Sequence, residues 1–150
     1  MIWKPNATVA AVVEQDGKFL LVEEEPQAGY GVMLNQPAGH LDPDESIVQA
    51  VIRETLEETA YTFEPHYLLG VYQWHSSSND TTYLRFAFSG CVTDHNSERV
   101  LDTGIIRAAW LSFDEMSQSI SRHRSPLVMQ CVQDYLAGKR YPLELLTFCD

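Results

Sequence analysis

The stretch GHLDPDESIVQAVIRETLEETAY, residues 39–61, decides how this chain is read. Within it Ile47, Val48, Val51, Ile52 and Leu56 recur at i, i+1, i+4, i+5 and i+9, an apolar stripe at helical period. Asp42-Pro43-Asp44-Glu45 reads as the start of that helix: an Asp cap, Pro at the first helical position, acids in the first turn and Glu three after the cap. The pattern predicts a helix over 43–59. Glu54, Glu57 and Glu58 then share a sector roughly 100° wide beside the stripe. Three like charges so close destabilise a bare helix, so a cation must compensate. Arg53, four before Glu57, neutralises one of them. The remaining cluster offers only oxygen, which suits a hard divalent ion, Mg²⁺ or Mn²⁺, better than zinc.

Upstream, Leu34 to Ala38 is a short extended piece leading into Gly39. Thr8 to Val13 and Lys18 to Glu23 flank Asp16-Gly17, a hairpin signal, and 24–32 with its Pro and glycines is a loop. Downstream, Tyr67 to Trp74 and Thr82 to Val92 are strands on either side of the turn cluster 76–80, and Ile105 to Leu111 is another. Helices begin at Asp114 (to Ser119) and at Pro126 (to Ala137), the second ending at Gly138. Strands with separated helical segments predict an α/β or α+β layered domain, a mixed sheet between helices. At 150 residues, 1–150 is expected to form a single domain.

Composition excludes several classes. Twenty-one acidic against ten basic residues give a formal net charge of −11, which argues against binding a nucleic-acid polymer, whose affinity comes from Lys and Arg. A polyanionic small molecule remains compatible if metal ions and a few local cations offset the repulsion. No stretch reaches 18 apolar residues and the N-terminus does not open a signal peptide, so neither a membrane nor export is expected. Cys91, Cys131 and Cys149 are widely spaced and read as reduced thiols of a cytoplasmic protein; the five histidines form no zinc spacing with them.

Read as fixed letters, residues 39–58 give G-x5-E-x7-R-E-x-x-E-E, which resembles the Nudix box. With each residue type near 7% of an average composition, a chance match in this chain is roughly one in 10⁵. The resemblance implies an αβα sandwich. It implies a metal held by the Gly39 carbonyl, Glu57 and Glu58, with Glu54 as a further ligand or the base that deprotonates water, and Arg53 orienting a carboxylate. Two positions depart from the family pattern: Thr55 replaces an aliphatic residue, and Ala60 replaces the glycine that ends the helix.

Strings outside the box, among them Asn35-Gln36-Pro37-Ala38-Gly39-His40-Leu41, Leu84-Arg85-Phe86 and Arg124-Ser125-Pro126-Leu127-Val128, resemble one bacterial phosphatase branch of that family. That branch implies a Mg²⁺-dependent phosphohydrolase of nucleoside tri- and diphosphates and thiamine-related pyrimidine diphosphates, releasing inorganic phosphate. Lys4, Arg85 and Arg124 are the cations expected near the terminal phosphate. Lys4 rests on its match to the branch; Arg85 has the plainer reading of a cation snorkelling at a sheet edge, and Arg124 that of a solvent-facing cap ahead of a helix. Trp74 is a candidate to stack on a base or to sit in the core rim. Arg140 and Tyr141 read as anchors of the C-terminal segment. The resemblance offers Glu98 or Asp102, before the late strand Ile105 to Leu111, as one further carboxylate of the site, against the plainer reading of solvated loop acids, and spacing does not choose between them. The alternatives are another Nudix pyrophosphatase (a sanitiser of oxidised nucleotides or an ADP-ribose pyrophosphatase) and a non-catalytic nucleotide-sensing Nudix domain. The second should have lost one of Arg53, Glu54, Glu57 or Glu58, and all four are present. A monomer or small homo-oligomer is expected.

Overall fold

The computed structural model describes residues 1–27 and 29–149. Strands β1 (Asn6–Gln15) and β2 (Lys18–Glu24) form the expected hairpin, with Asp16 and Gly17 at φ 53° and 77°. Two positive φ values match the right-handed twist of the flanking strands, as an Asp-Gly turn should. β3 (Met33–Asn35) and β4 (Ala38–His40) follow, then α1 (Ile47–Thr59) and the long antiparallel pair β5 (Tyr61–Ser76) and β6 (Thr81–His95). β7 (Ile105–Ser112), α2 (Phe113–Ser117) and α3 (Leu127–Leu136) complete the larger elements.

The strands form a mixed sheet in the order β3-β2-β1-β6-β5, with β4 also pairing β1 and β7 also pairing β2. β1 and β6 run parallel, Val9 opposite Phe86; the other pairs are antiparallel. Helices cover both faces. Val9, Ala11 and Val13 of β1 pack with Leu20, Phe63 and Phe88 under Ala50 and Val51 of α1. Val12 faces the other way, with Leu21, Leu69 and Ala87, under Met116 of α2 and Val128, Cys131 and Val132 of α3. A strand buried on both sides needs no polar alternation, which is why Val9–Val13 reads as one apolar run. The result is an αβα sandwich. Among the described residues no helix is long and apolar enough to cross a membrane.

Three expectations change in detail. The box helix starts at Ile47, not Pro43: Ser46 is the N-cap, its Oγ accepting from Gln49 N while Gln49 Oε1 accepts from Ser46 N. The acidic turn before it cannot be helical, because Asp44 has φ 63° and Glu45 Oε1 is used by the Asp42 N–H and by Arg53. β5 and β6 are longer than their alternation suggested, because register shifts at Tyr61/Phe63, Pro65/Tyr67 and Leu68/Gly70 break the period. Pro65 is tolerated because β5 lies at the sheet edge.

The two departures from the box pattern also find local explanations. Thr55 is fully buried, and its hydroxyl donates to Val51 O at 2.8 Å, so its polar atom is satisfied within the helix. Ala60 takes the left-handed conformation a glycine would occupy, φ 64°, which costs a non-glycine residue about 1–2 kcal/mol. Burying its methyl group offsets about 0.8 kcal/mol, and Asn96 N holds the Ala60 carbonyl at 3.0 Å.

Candidate active site

β4 is the hinge of the site. Val9 pairs with Gly39 and Thr8 with His40, so β1 fixes the backbone immediately before the acidic turn. Arg53 then gathers the turn and the helix around one guanidinium. Its Nη2 donates to Glu45 Oε1 at 2.7 Å and to the His40 carbonyl at 3.0 Å, and its Nε to Glu45 Oε2 at 3.0 Å. Its Nη1 donates to Glu54 and Glu57, both at 2.8 Å. The compensating cation inferred from charge density therefore hydrogen-bonds three carboxylates rather than one, and its Nε also lies 3.4 Å from Asp42 Oδ2. Glu45 is held below the usual carboxylate range chiefly by its hydrogen bond to Arg53. The guanidinium is held correspondingly more firmly protonated.

Glu54 turns its carboxylate onto the Gly39 backbone, filling the space a Cβ at that position would need. Any other residue at 39 would displace Glu54, which is the physical reason for glycine there. Glu58 is buried, and its Oε1 accepts from the Ala38 N–H at 2.9 Å. Burial pushes the Glu58 carboxyl up to about 8; the Ala38 N–H opposes this, and the charges of Glu54, Glu24 and Asp102 add to it. Glu54 is also raised, first by burial, with Arg53 opposing and Glu57 and Asp102 reinforcing. Of the two loop acids, Asp102 is the one whose charge acts on Glu54 and Glu58, and its N–H is fixed to the Glu57 carbonyl at 2.9 Å. Glu98 is exposed.

Glu54, Glu58 and the Gly39–His40 backbone line one side of a cavity of about 530 Å³, a size suited to a small ligand. Arg85, Arg124, Trp74 and Tyr83 line it as well. Arg85 is neither at an edge nor snorkelling. It is 6% exposed, held by Gln36 Oε1 at 2.9 Å and Asn35 Oδ1 at 3.1 Å, and makes no ion pair among the described residues. Arg124 is partly neutralised by Glu24 at 2.8 Å, while Ser125, not Arg124, bonds the first turn of α3 through Leu127 N. Trp74 stacks on Tyr83 with ring centroids 5.8 Å apart and planes 19° from parallel, a flat aromatic wall.

Two expected members lie elsewhere. Lys4 precedes the first paired residue of β1, is exposed, and does not line the cavity. Glu57 faces Arg53 and likewise does not line it. Arg140 and Tyr141 do anchor the C-terminal segment: Arg140 lies over the Tyr67 ring at 5.8 Å, and Tyr141 exchanges two backbone bonds with Leu68. Glu24, Asn35 and Tyr83 line the cavity without having been singled out in the sequence. The sequence places Glu24 at the start of the loop 24–32, whereas it ends β2, and only its pairing with a distant arginine reveals it.

The donor set on the acidic side consists of carboxylate and carbonyl oxygens, and the buried Glu58 is crowded by three further acids. Such a set fits a hard divalent cation, which would remove the repulsion that raises these carboxyls.

Comparison with known proteins agrees with this geometry. The family model of the NUDIX domain matches residues 3–130. Phosphatase NudJ of Escherichia coli K12 is 39% identical over 145 residues, covering 97% of this chain and 92% of NudJ. The solved NUDIX hydrolase from Nitrosomonas europaea superposes with a TM-score of 0.94 at 60% identity, over 97% of this chain and 98% of that one. A bifunctional NMN adenylyltransferase/ADP-ribose pyrophosphatase from Francisella tularensis, complexed with AMP and manganese, shares the fold: TM-score 0.73 and 20% identity, over 90% of this chain and 42% of that one. The chain belongs to the Nudix family and is a Nudix hydrolase.

Proposed function

We propose that this hydrolase removes the terminal phosphate from nucleoside tri- and diphosphates and from thiamine-related pyrimidine diphosphates, with Mg²⁺ as its cation and Mn²⁺ as a substitute. The observation that carries this reading is the division of one cavity. Carboxylates that suit a divalent ion line it together with Arg85, a buried arginine without a carboxylate partner among the described residues. A buried cation is costly to leave unpaired, and a phosphate supplies the missing negative charge with geometry an arginine fork matches.

Glu58 and the Gly39 carbonyl would hold the cation, with Glu57, outside the cavity lining, contributing the carboxylate oxygen that Arg53 leaves free and Glu54 serving as a further ligand or as the base. When bound, Mg²⁺ neutralises phosphate charge and lowers the pKa of a water molecule. Arg85 binds the terminal phosphate, with Arg124 released in part from Glu24 to assist. Glu54 lines the cavity with its carboxylate against the Gly39 backbone, which places it to take the proton of the attacking water. Arg53 fixes the Glu54 and Glu57 rotamers without touching substrate. The Trp74–Tyr83 wall receives a ring by stacking, which discriminates weakly between bases because every base has a π-face. Broad acceptance of organic groups follows. Lys4, which does not line the cavity, is left out of this phosphate site.

The test is a substrate panel. Orthophosphate release from CDP, GDP and thiamine diphosphate is compared with nucleoside monophosphate release from ADP-ribose, each with Mg²⁺. Simple diphosphates should be preferred. Efficient ADP-ribose cleavage with inert simple diphosphates would assign the site to a pyrophosphatase instead.

A further inference from the structure

A second group of ligating side chains lies at the other end of the β5–β6 hairpin. Glu64 and Cys91 are direct cross-strand partners, so their side chains leave the sheet on the same face. His66 is the extra residue of a bulge: Pro65 pairs Gly90 and Tyr67 pairs Ser89, leaving His66 without a partner. The bulge is possible because Gly90 has no side chain; a Cβ there would run into the Glu64 carbonyl. The bulge brings His66 Nε2 within 3.5 Å of Glu64 Oε2 and 3.7 Å of Cys91 Sγ. Cys91 Sγ is 3.3 Å from the same Glu64 oxygen. Among the described residues this is the one set of three His, Cys, Asp or Glu whose ligating atoms all lie within 4.8 Å of one another.

We propose that Glu64, His66 and Cys91 form a second metal site, for a borderline divalent transition ion of the zinc class, separate from the hydrolytic centre. Tetrahedral coordination with bonds of about 2.0–2.3 Å places neighbouring ligand atoms roughly 3.3–3.8 Å apart. The three observed separations, 3.3, 3.5 and 3.7 Å, match one triangular face of such a tetrahedron without backbone movement. Glu64 and His66 are exposed and Cys91 is half-buried, so the fourth position opens to water. Thiolate with imidazole selects zinc, cobalt or copper over magnesium, so this site does not compete for the ion of the active site. The trio shares no residue with the lining of the hydrolytic cavity, although Glu58 and Glu64 are six positions apart and their Cα atoms therefore lie at most about 22 Å from each other. The conventional spacing motifs missed the trio because its ligands meet across two strands, 25 residues apart for His66 and Cys91.

The test uses the full chain and Co²⁺ as a spectroscopic stand-in for zinc. Oxygen-only carboxylate sites give no sulfur charge-transfer band, so a near-ultraviolet thiolate-to-cobalt band reports this site alone. The band should saturate at a single Co²⁺ per chain and bleach when Zn²⁺ is added. It should disappear in Cys91→Ser, persist in Cys149→Ser, and require at least about tenfold more Co²⁺ in His66→Ala, since loss of one ligand removes a strong bond. Circular dichroism and unchanged phosphate release would show these variants folded. No band in the unmodified chain, a band surviving Cys91→Ser, or unchanged Co²⁺ affinity in His66→Ala would each overturn the site.

Discussion

Arg53 and Glu45, eight positions apart, form a two-pronged pair, Nη2 to Oε1 at 2.7 Å and Nε to Oε2 at 3.0 Å. The pair binds the irregular acidic turn to the helix that carries Glu54, Glu57 and Glu58. The same guanidinium spends its remaining Nη1 protons on Glu54 and Glu57. A lysine keeps the charge but cannot supply a fork with five fixed donors. Arg53→Lys should therefore lower kcat by about 10²-fold with little change in KM, because it disturbs groups that act in the transition state. Steady-state kinetics on CDP measure this. A KM effect alone would place Arg53 in substrate binding.

Arg85 gives the opposite signature. Its guanidinium is buried and hydrogen-bonded only to neutral groups among the described residues, so its contribution is to ground-state phosphate binding. A charged hydrogen bond is worth about 1.5–3 kcal/mol, or roughly 10–100-fold. Arg85→Lys should raise KM for diphosphates by about that factor. Lys4→Ala should leave kinetics unchanged.

Asp102 and Glu98 separate by their surroundings. Asp102 raises the carboxyls of Glu54 and Glu58, and Glu98 does not figure among the causes of either shift. Asp102→Asn removes a negative charge that hinders their ionisation. The acidic limb of the pH–rate profile should move to lower pH in Asp102→Asn and stay in place in Glu98→Gln. Identical profiles would remove Asp102 from the site.

Glu58 makes stability without metal depend on pH. Its folded carboxyl titrates near 8 against an ordinary value of 4.5, so folding favours the protonated form. That stabilising contribution is complete below the ordinary value and is lost as pH rises toward 8. In a chelator, Tm should fall between about pH 5 and about pH 8, and the fall should be smaller in Glu58→Gln, which carries no charge to bury. Added Mg²⁺ should raise Tm more at the upper end of that range.

Much of this was legible because fixed spacing on a helix maps directly to one face. Glu54, Glu57 and Glu58 needed only a period of 3.6 residues, and Asp16-Gly17 only its turn chemistry. Whatever depends on distant strands was hidden. The burial of Arg85 follows from β6 lying between β1 and β5, and its neighbours Asn35 and Gln36 come from 50 and 49 residues away. Glu24 meets Arg124 across 100 residues. The helix start was misread for a different reason: Asp42-Pro43 has strong capping chemistry, but Arg53 claims Glu45, and Ser46 with Gln49 offers a complete capping box four residues later.

The central claim, water attack on the terminal phosphorus, is tested most directly by where solvent oxygen appears. CDP is hydrolysed with Mg²⁺ in water enriched in heavy oxygen, and both products are analysed by mass spectrometry. Attack at the phosphate gripped by Arg85 places the label in orthophosphate and none in CMP. Label recovered in CMP, with unlabelled orthophosphate, would show attack at the inner phosphorus and contradict the account.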